Sequence, residues 1–336
     1  MEAGALASAH EATLGERILA AANRRPALTA VVILAVIVLV MMIAKGVHDV
    51  AQTGLNGLTL GAIYALGAVG LTLVYGILKL VNFAHGDFLT FGAYMAYLVN
   101  VTWGLPIVVA VFWAMVTTAV LGIVLEKAMW GPMRARGAGM LQLLLMAIGL
   151  ALVIRYTIQF IWSTELRQLD VNRTETVKFL GLTIGRTNMI VIIIGFASLI
   201  ATGMMLRYTL LGKRMRALSD DLDLAETSGI DTSRVILWTW VFAAGFAGLA
   251  GVLAGAITQV QPELGFELLL PIFAAVVMGG IGNAYGALAG GIVLGLVIEW
   301  STLFIDARWK TAIGFVVLIL VLVVRPQGIF GRAKTV

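Results

Sequence analysis

The side chains that could do chemistry in this 336-residue chain gather in a few places. One is the run Asn82, His85, Gly86 and Asp87, which puts an amide, an imidazole and a carboxylate between two apolar stretches. At membrane depth such groups are costly unless they face a cavity or one another, so they can line a polar turn along a passage. The same residues also suit an ordinary turn near the membrane face, with Asn82 capping the next helix and Asp87 in its first turn. His10 and His48 share no ligand spacing with His85, which argues against a metal site. A second place is the polar island 207–234. There Lys213, Arg214 and Arg216 lead into Asp220, Asp221, Asp223, Ala225 and Glu226, and Gly229 follows where a helix C-cap needs glycine. This pattern predicts a short amphipathic helix over 219–228. Arg155 stands alone inside an apolar run, where an unpaired charge costs several kcal/mol. It can contact a substrate carboxylate or serve as a structural partner that reaches toward an interface.

The motifs the chain lacks narrow its chemistry further. No GxxxxGK[ST] loop occurs, so any ATP chemistry belongs to a partner. With no cysteine, thiol catalysis and thiolate metal sites are excluded. Nor do the apolar runs hold a His or carboxylate cluster like those of proton pumps. An enzyme is therefore not expected, and no cofactor is expected in this chain.

The elements that must position these residues follow from composition. Hydrophobic residues make up 60% and charged residues 12%, and mean hydropathy is +0.99, which a soluble globule cannot accommodate. The expectation is an all-α polytopic membrane protein, because the runs are continuous rather than alternating. Apolar runs at 27–44, 51–80, 84–100, 105–127, 140–162, 188–206, 235–258, 268–279, 284–304 and 311–324 predict about ten transmembrane helices. The side holding both termini and the polar island carries about twice as many Lys and Arg as the other, which predicts cytoplasmic termini. A cytoplasmic extension 1–26, a transmembrane domain 27–324 that includes the loop 207–234, and a cytoplasmic tail 325–336 complete the organisation. Arg24 and Arg25 before the first run resemble a signal peptide, but no A-x-A cleavage pattern follows, so the run reads as a retained span. The formal charge of +5 lacks a basic stripe interleaved with aromatics, so no nucleic acid is expected.

Irregular lengths carry mechanism. Run 51–80 begins with Gln52, Thr53, Asn56 and Thr59 and exceeds the hydrocarbon thickness, so a break or re-entrant start is expected. Run 268–279 is short and ends in Gly279, Gly280, Gly282 and Asn283. Interrupted segments at corresponding places in two halves are the sequence mark of discontinuous transporter helices, so an inverted repeat is expected. Glycines spaced by four, such as Gly251 and Gly255, suit close helix packing.

The order NGLTLGAIYALGAVGLTLVYGILKLVNFAHGDF (56–88), RALSDDLDLAETSGID (216–231), VVMGGIGNAYGALAGGIVLG (276–295) and RPQGIFGR (325–332) resembles the permease subunits of branched-chain amino-acid ABC importers. The resemblance covers about residues 52–332. It implies a multi-pass subunit of the bacterial inner membrane. Its partners would be a second homologous permease, two ATP-binding subunits that hold ATP and Mg, an external solute-binding protein and the lipid bilayer. It also implies that the polar island couples to the ATPase, with Asp220, Asp221, Ala225 and Gly229 on the motif positions and Arg214 and Arg216 as anchors. Asn82, His85, Gly86, Asp87, Gly279, Gly280, Gly282 and Asn283 become hinge or path-lining candidates, and Arg155 a substrate-contact candidate. Urea or short amides are alternative cargoes. The competing classes are an ion-coupled secondary transporter, which would need ion ligands in the bundle, and a structural scaffold, in which the island would be dispensable.

Overall fold

Hydrocarbon offers the backbone no partner but itself, so apolar runs of sufficient length become helices. The computed structural model describes residues 26–179, 181–324 and 328. The expected extension, apart from Pro26, and the tail, apart from Gly328, lie outside the described residues. The chain divides into two units, Met1–Gly46 and Val47–Val336. The first contains helix α1 (Pro26–Lys45).

The second unit runs α2 (Val47–Leu78), α3 (His85–Tyr97), α4 (Ile107–Leu125), α5 (Gly131–Ala135), α6 (Met140–Trp162), α7 (Arg186–Tyr208), α8 (Leu210–Asp220), α9 (Leu222–Thr227), α10 (Thr232–Ile257), α11 (Leu264–Gly279), α12 (Ala284–Ser301) and α13 (Lys310–Val324). A π-helical segment, Glu126–Trp130, carries α4 into α5. Among the described residues, six helices are long and apolar enough to cross a membrane: α2, the run Ile107–Ala135, α6, α7, α10 and α12. In the segment 163–187, β1 (Thr176–Phe179) and β2 (Leu182–Gly185) pair as an antiparallel hairpin.

Two helices form the centre. The most apolar windows of α2 and α10 are 89% and 83% buried, against 28% for α7. Around them the contacts repeat in a pattern: α2 packs most heavily on α12 and α10 on α4, α11 packs on α2 and α3 on α10, and α6 leans on α3 as α13 leans on α11. Missing β-carbons make the tightest crossings. At Gly251 of α10 a β-carbon would strike the backbone of Leu89 in α3, and at Gly86 of α3 it would strike Gly265 of α11.

The expected break at the start of α2 is absent, and tertiary contacts account for its continuity. Gln52 exchanges two hydrogen bonds with Thr183 in β2, its Nε2 donating to the carbonyl at 2.6 Å and its Oε1 accepting from the amide at 2.9 Å. Thr59 donates to the Leu55 carbonyl at 3.0 Å. Gln52 and Thr59 are therefore satisfied without unwinding the helix.

Close crossings set a testable cost. Gly251→Ala is expected to lower unfolding stability in detergent by about 1–3 kcal/mol through overpacking. Gly149→Ala, where nothing lies within 4 Å of the new methyl, should be neutral or gain up to about 1 kcal/mol of helix propensity.

Candidate functional site

Helix α3 starts inside the bundle. His85, its first residue, shares a hydrogen bond with the Gly67 carbonyl at 2.9 Å, and Gly67 lies about 16 Å from the C-terminal end of α2. The turn 79–84 therefore descends from the end of α2 into the protein. Asn82 Oδ1 accepts the Ala84 amide at 3.1 Å, and the Asn82 carbonyl accepts that of His85 at 3.2 Å, which sets the first turn of α3. Asn82, His85 and Asp87 are 0%, 1% and 0% exposed.

Asp87 has a partner from α6. Arg155 donates to it through Nε at 3.0 Å and through Nη2 at 3.3 Å, and the guanidinium lies 4.5 Å over the Phe266 ring of α11. The pair thus ties α6 to α3 and touches α11. Beside it the two short helices meet at their N-terminal ends, where Gly86 abuts Gly265 and the Gly265 amide donates to Thr90 Oγ1 at 2.9 Å. Asp87 lies in the first turn of α3, where a carboxylate is also favoured by the helix dipole.

Helix α11 begins at Leu264, four residues before the predicted run, and this exposes a group that the sequence reading left outside the membrane. Ile272 packs on Gly67 of α2, so Glu267 lies about 7–8 Å farther along, near the middle of α2. Glu267 is exposed there, as are Phe266 and Leu270. Its Oε1 accepts from Gln261 at 3.0 Å, while Glu263 accepts from Gln159 of α6 at 2.9 Å. Among the described residues neither glutamate pairs with a cation.

At one end of the bundle, the C-terminus of α2, the polar island and the glycine turn converge. Lys79 Nζ donates to the Gly76 carbonyl at 2.7 Å and to that of Ser219 at 3.2 Å, and Gly76 approaches Gly282. Gly280 and Gly282 adopt φ of +102° and +86°, which favour glycine, while Gly279 packs on Gly286. Asn283 Oδ1 caps α12 by accepting the Tyr285 and Gly286 amides, both at 3.1 Å. Gly328 of the fourth motif sits against Val277 and Gly280.

The island forms two helices instead of one. The chain turns extended at Asp221, whose carboxylate caps α9 by accepting the Leu224 amide at 2.9 Å. Met215 and Leu218 are buried, whereas Arg214, Arg216, Asp220 and Asp221 are exposed. Gly229, at φ +82°, ends α9 as its spacing predicts. Ala225, a coupling candidate by its motif position, is 4% exposed and seats α9 on the chain itself. Leu224, which nothing in the periodicity singles out, is 64% exposed.

Glu126, near the end of the predicted run 105–127, received no role from the sequence. Trp240 Nε1 donates to Glu126 Oε2 at 2.7 Å, Arg134 pairs with the same carboxylate, and Trp130 stacks on Trp240 with centroids 6.4 Å apart. At the opposite end Asp306 caps the turn Ala307–Trp309, and the Arg308 guanidinium holds its carboxyl below the usual carboxylate range.

Residues 53–322 match the family model described as the branched-chain amino acid transport system / permease component. The chain is 34% identical over 300 residues to the Escherichia coli K12 high-affinity branched-chain amino acid transport system permease protein LivH, covering 84% of this chain and 96% of that protein. It is 29% identical to the Pseudomonas aeruginosa permease protein BraD, with 86% and 98% covered. It is 26% identical to the E. coli K12 permease protein LivM, with 87% and 72% covered.

Breaking the buried pair leaves an uncompensated charge. Arg155→Ala is expected to cost about 3–5 kcal/mol of stability, and Arg155→Ala with Asp87→Ala together less than the sum, read as a double-mutant cycle in detergent.

Proposed function

This chain belongs to the branched-chain amino acid transport permease family, and on that premise we propose that it carries branched-chain amino acids as one permease of an ATP-driven ABC importer. The cargo is delivered by an external solute-binding protein, and ATP and Mg are held by two separate ATP-binding subunits. Similarity to both LivH and LivM supports a second, homologous permease beside it.

One observation carries the coupling assignment. An otherwise oily bundle presents an exposed polar element, α8–α9, hydrogen-bonded through Lys79 to the end of α2, whose apolar window is the most buried of the six long apolar helices. A push on α8–α9 therefore reaches the core directly. Arg214, Arg216, Asp220 and Asp221 set its register on the motor, Leu224 supplies the apolar contact, and Ala225 and Gly229 hold α9 in place. This end faces the cytoplasm, in line with its excess of Lys and Arg. Both termini lie on that side of the inner membrane in this reading.

The finer architecture is a set of about ten spans containing an inverted repeat, in which α2, α3, α4 and α6 correspond to α10, α11, α12 and α13. The reciprocal packing of these two sets supports it, as does the meeting of α3 and α11 at their N-terminal ends. Asn82, His85, Gly86 and Asp87 then form a rigid pivot on which α3 turns, and Gly279, Gly280, Gly282 and Asn283 the hinge before α12. An exposed carboxylate at Glu267's height is too costly against lipid, so the face bearing Glu263, Phe266 and Glu267 lines a watery passage beside the second permease. Arg155 serves that passage by holding Asp87.

Asp221→Arg and Gly229→Pro should each lower ATP-driven leucine uptake by the reconstituted full complex more than tenfold while the ATPase subunits still hydrolyse ATP. The chain reconstituted alone should show no concentrative uptake; ion-driven accumulation would contradict the importer assignment.

A further inference from the structure

The two sets of helices each hold one glutamate near the end of their third helix, paired with a base that precedes or opens the fourth. In the first set this is Glu126 with Arg134, and in the second Glu299 with Lys310 at 2.7 Å. Their surroundings differ. Trp240, stacked on Trp130, donates to Glu126, which is 6% exposed, so the indole rings fill the space beside it. Around Glu299 and Lys310 no such filling occurs. They line a crevice of about 470 Å³ that extends along α2 from Asn56 to Tyr64 and is bounded by Asn188 and Thr258. Its volume falls in the range of small-molecule sites.

The crevice is amphipathic in a way that matches one ligand class. Lys310 uses one of its three donors on Glu299 Oε1, and among the described residues the other donors and Glu299 Oε2 have no partner. Asn56, Asn188 and Thr258 add neutral hydrogen-bonding groups, while Leu60, Ile257 and Ile298 supply an apolar wall. A cation and an anion held side by side against an apolar wall complement a group that carries both charges next to an apolar side chain. Simple anions or cations would be attracted by one residue and repelled by the other.

We propose that this crevice binds a zwitterionic amino acid, its ammonium on Glu299, its carboxylate on Lys310 and its side chain against Leu60, Ile257 and Ile298. The inference rests on the reading of the chain as part of an amino-acid importer.

The test is equilibrium binding of L-[3H]leucine to the purified complex of both permeases and both ATPase subunits, without the solute-binding protein. Saturable binding is expected, with 4-methylpentanoate and 3-methylbutylamine, which each lack one charge, competing at least tenfold less well than leucine. Glu299→Gln and Lys310→Met should each weaken binding at least tenfold. The double variant should bind no better than either, whereas a purely structural ion pair would tolerate the double neutralisation. Leu60→Trp fills the crevice without touching the charges and should also abolish binding, which keeps the test decisive if a charge variant fails to assemble. Wild-type leucine binding in these variants, or no saturable binding in a complex that imports leucine with ATP and its binding protein, would overturn the crevice assignment alone. Failure of the wild-type assembly to import any amino acid would overturn the importer reading beneath it.

Discussion

Within about 30 Å of hydrocarbon a charge has no water to turn to, and much of this bundle is arranged around that constraint at Asp87. Its carboxylate is fully buried and receives two donors from Arg155, so α6 cannot move from α3 without separating a desolvated pair. The same guanidinium covers Phe266 at the start of α11, bringing three helices to one point. A buried pair of this kind adds little net stability against an apolar substitute, but breaking it is expensive. It acts as a lock on geometry more than as a source of free energy.

Close backbone packing lets that lock transmit movement. Without a hydrophobic drive between helices in lipid, association depends on surface fit, and small residues permit it. Gly86 against Gly265 and Gly251 against Leu89 leave no room for a methyl group, so α3, α10 and α11 must shift together or not at all. At the end proposed for coupling, the Lys79 ammonium spans the C-terminus of α2 and Ser219 of α8. Movement of the polar island thus has a short, stiff route to the helices that enclose the buried pair. The turn from Gly280 to Asn283, with its two positive φ angles, lies on the same side and offers the softer element.

Much of this was legible in the sequence. Composition and continuous apolar runs point to a helical membrane protein, and Gly229 marks where the acidic helix ends, because these signals are local; the break at Asp221 that divides the island into two helices was not legible. Arg155 was legible as a charge in need of a neighbour. Its partner was not, since Asp87 lies 68 residues away and the contact depends on how α3 descends into the bundle. The same limit explains α2: Gln52, read as a sign of a break, is satisfied by Thr183 across 131 residues. Glu267 was missed because hydropathy places the start of its run four residues too late, and only the packing of Ile272 on Gly67 fixes its height. Glu126 gave a faint signal, flanked by Trp130 and Arg134 at helical spacing, but nothing local pointed to Trp240.

On the proposed reading α8–α9 is the seat of the ATPase. The native chain has no cysteine, so a single Leu224→Cys substitution provides a unique thiol, and cysteine-scanned ATPase subunits in the assembled complex can be tested for disulfide formation with it. An efficient cross-link from Leu224→Cys that changes on ATP binding is expected, and none from Ile305→Cys at the opposite end of the bundle. A thiol at 224 that reacts freely with a soluble maleimide in the full complex and never cross-links to an ATPase subunit would contradict that reading.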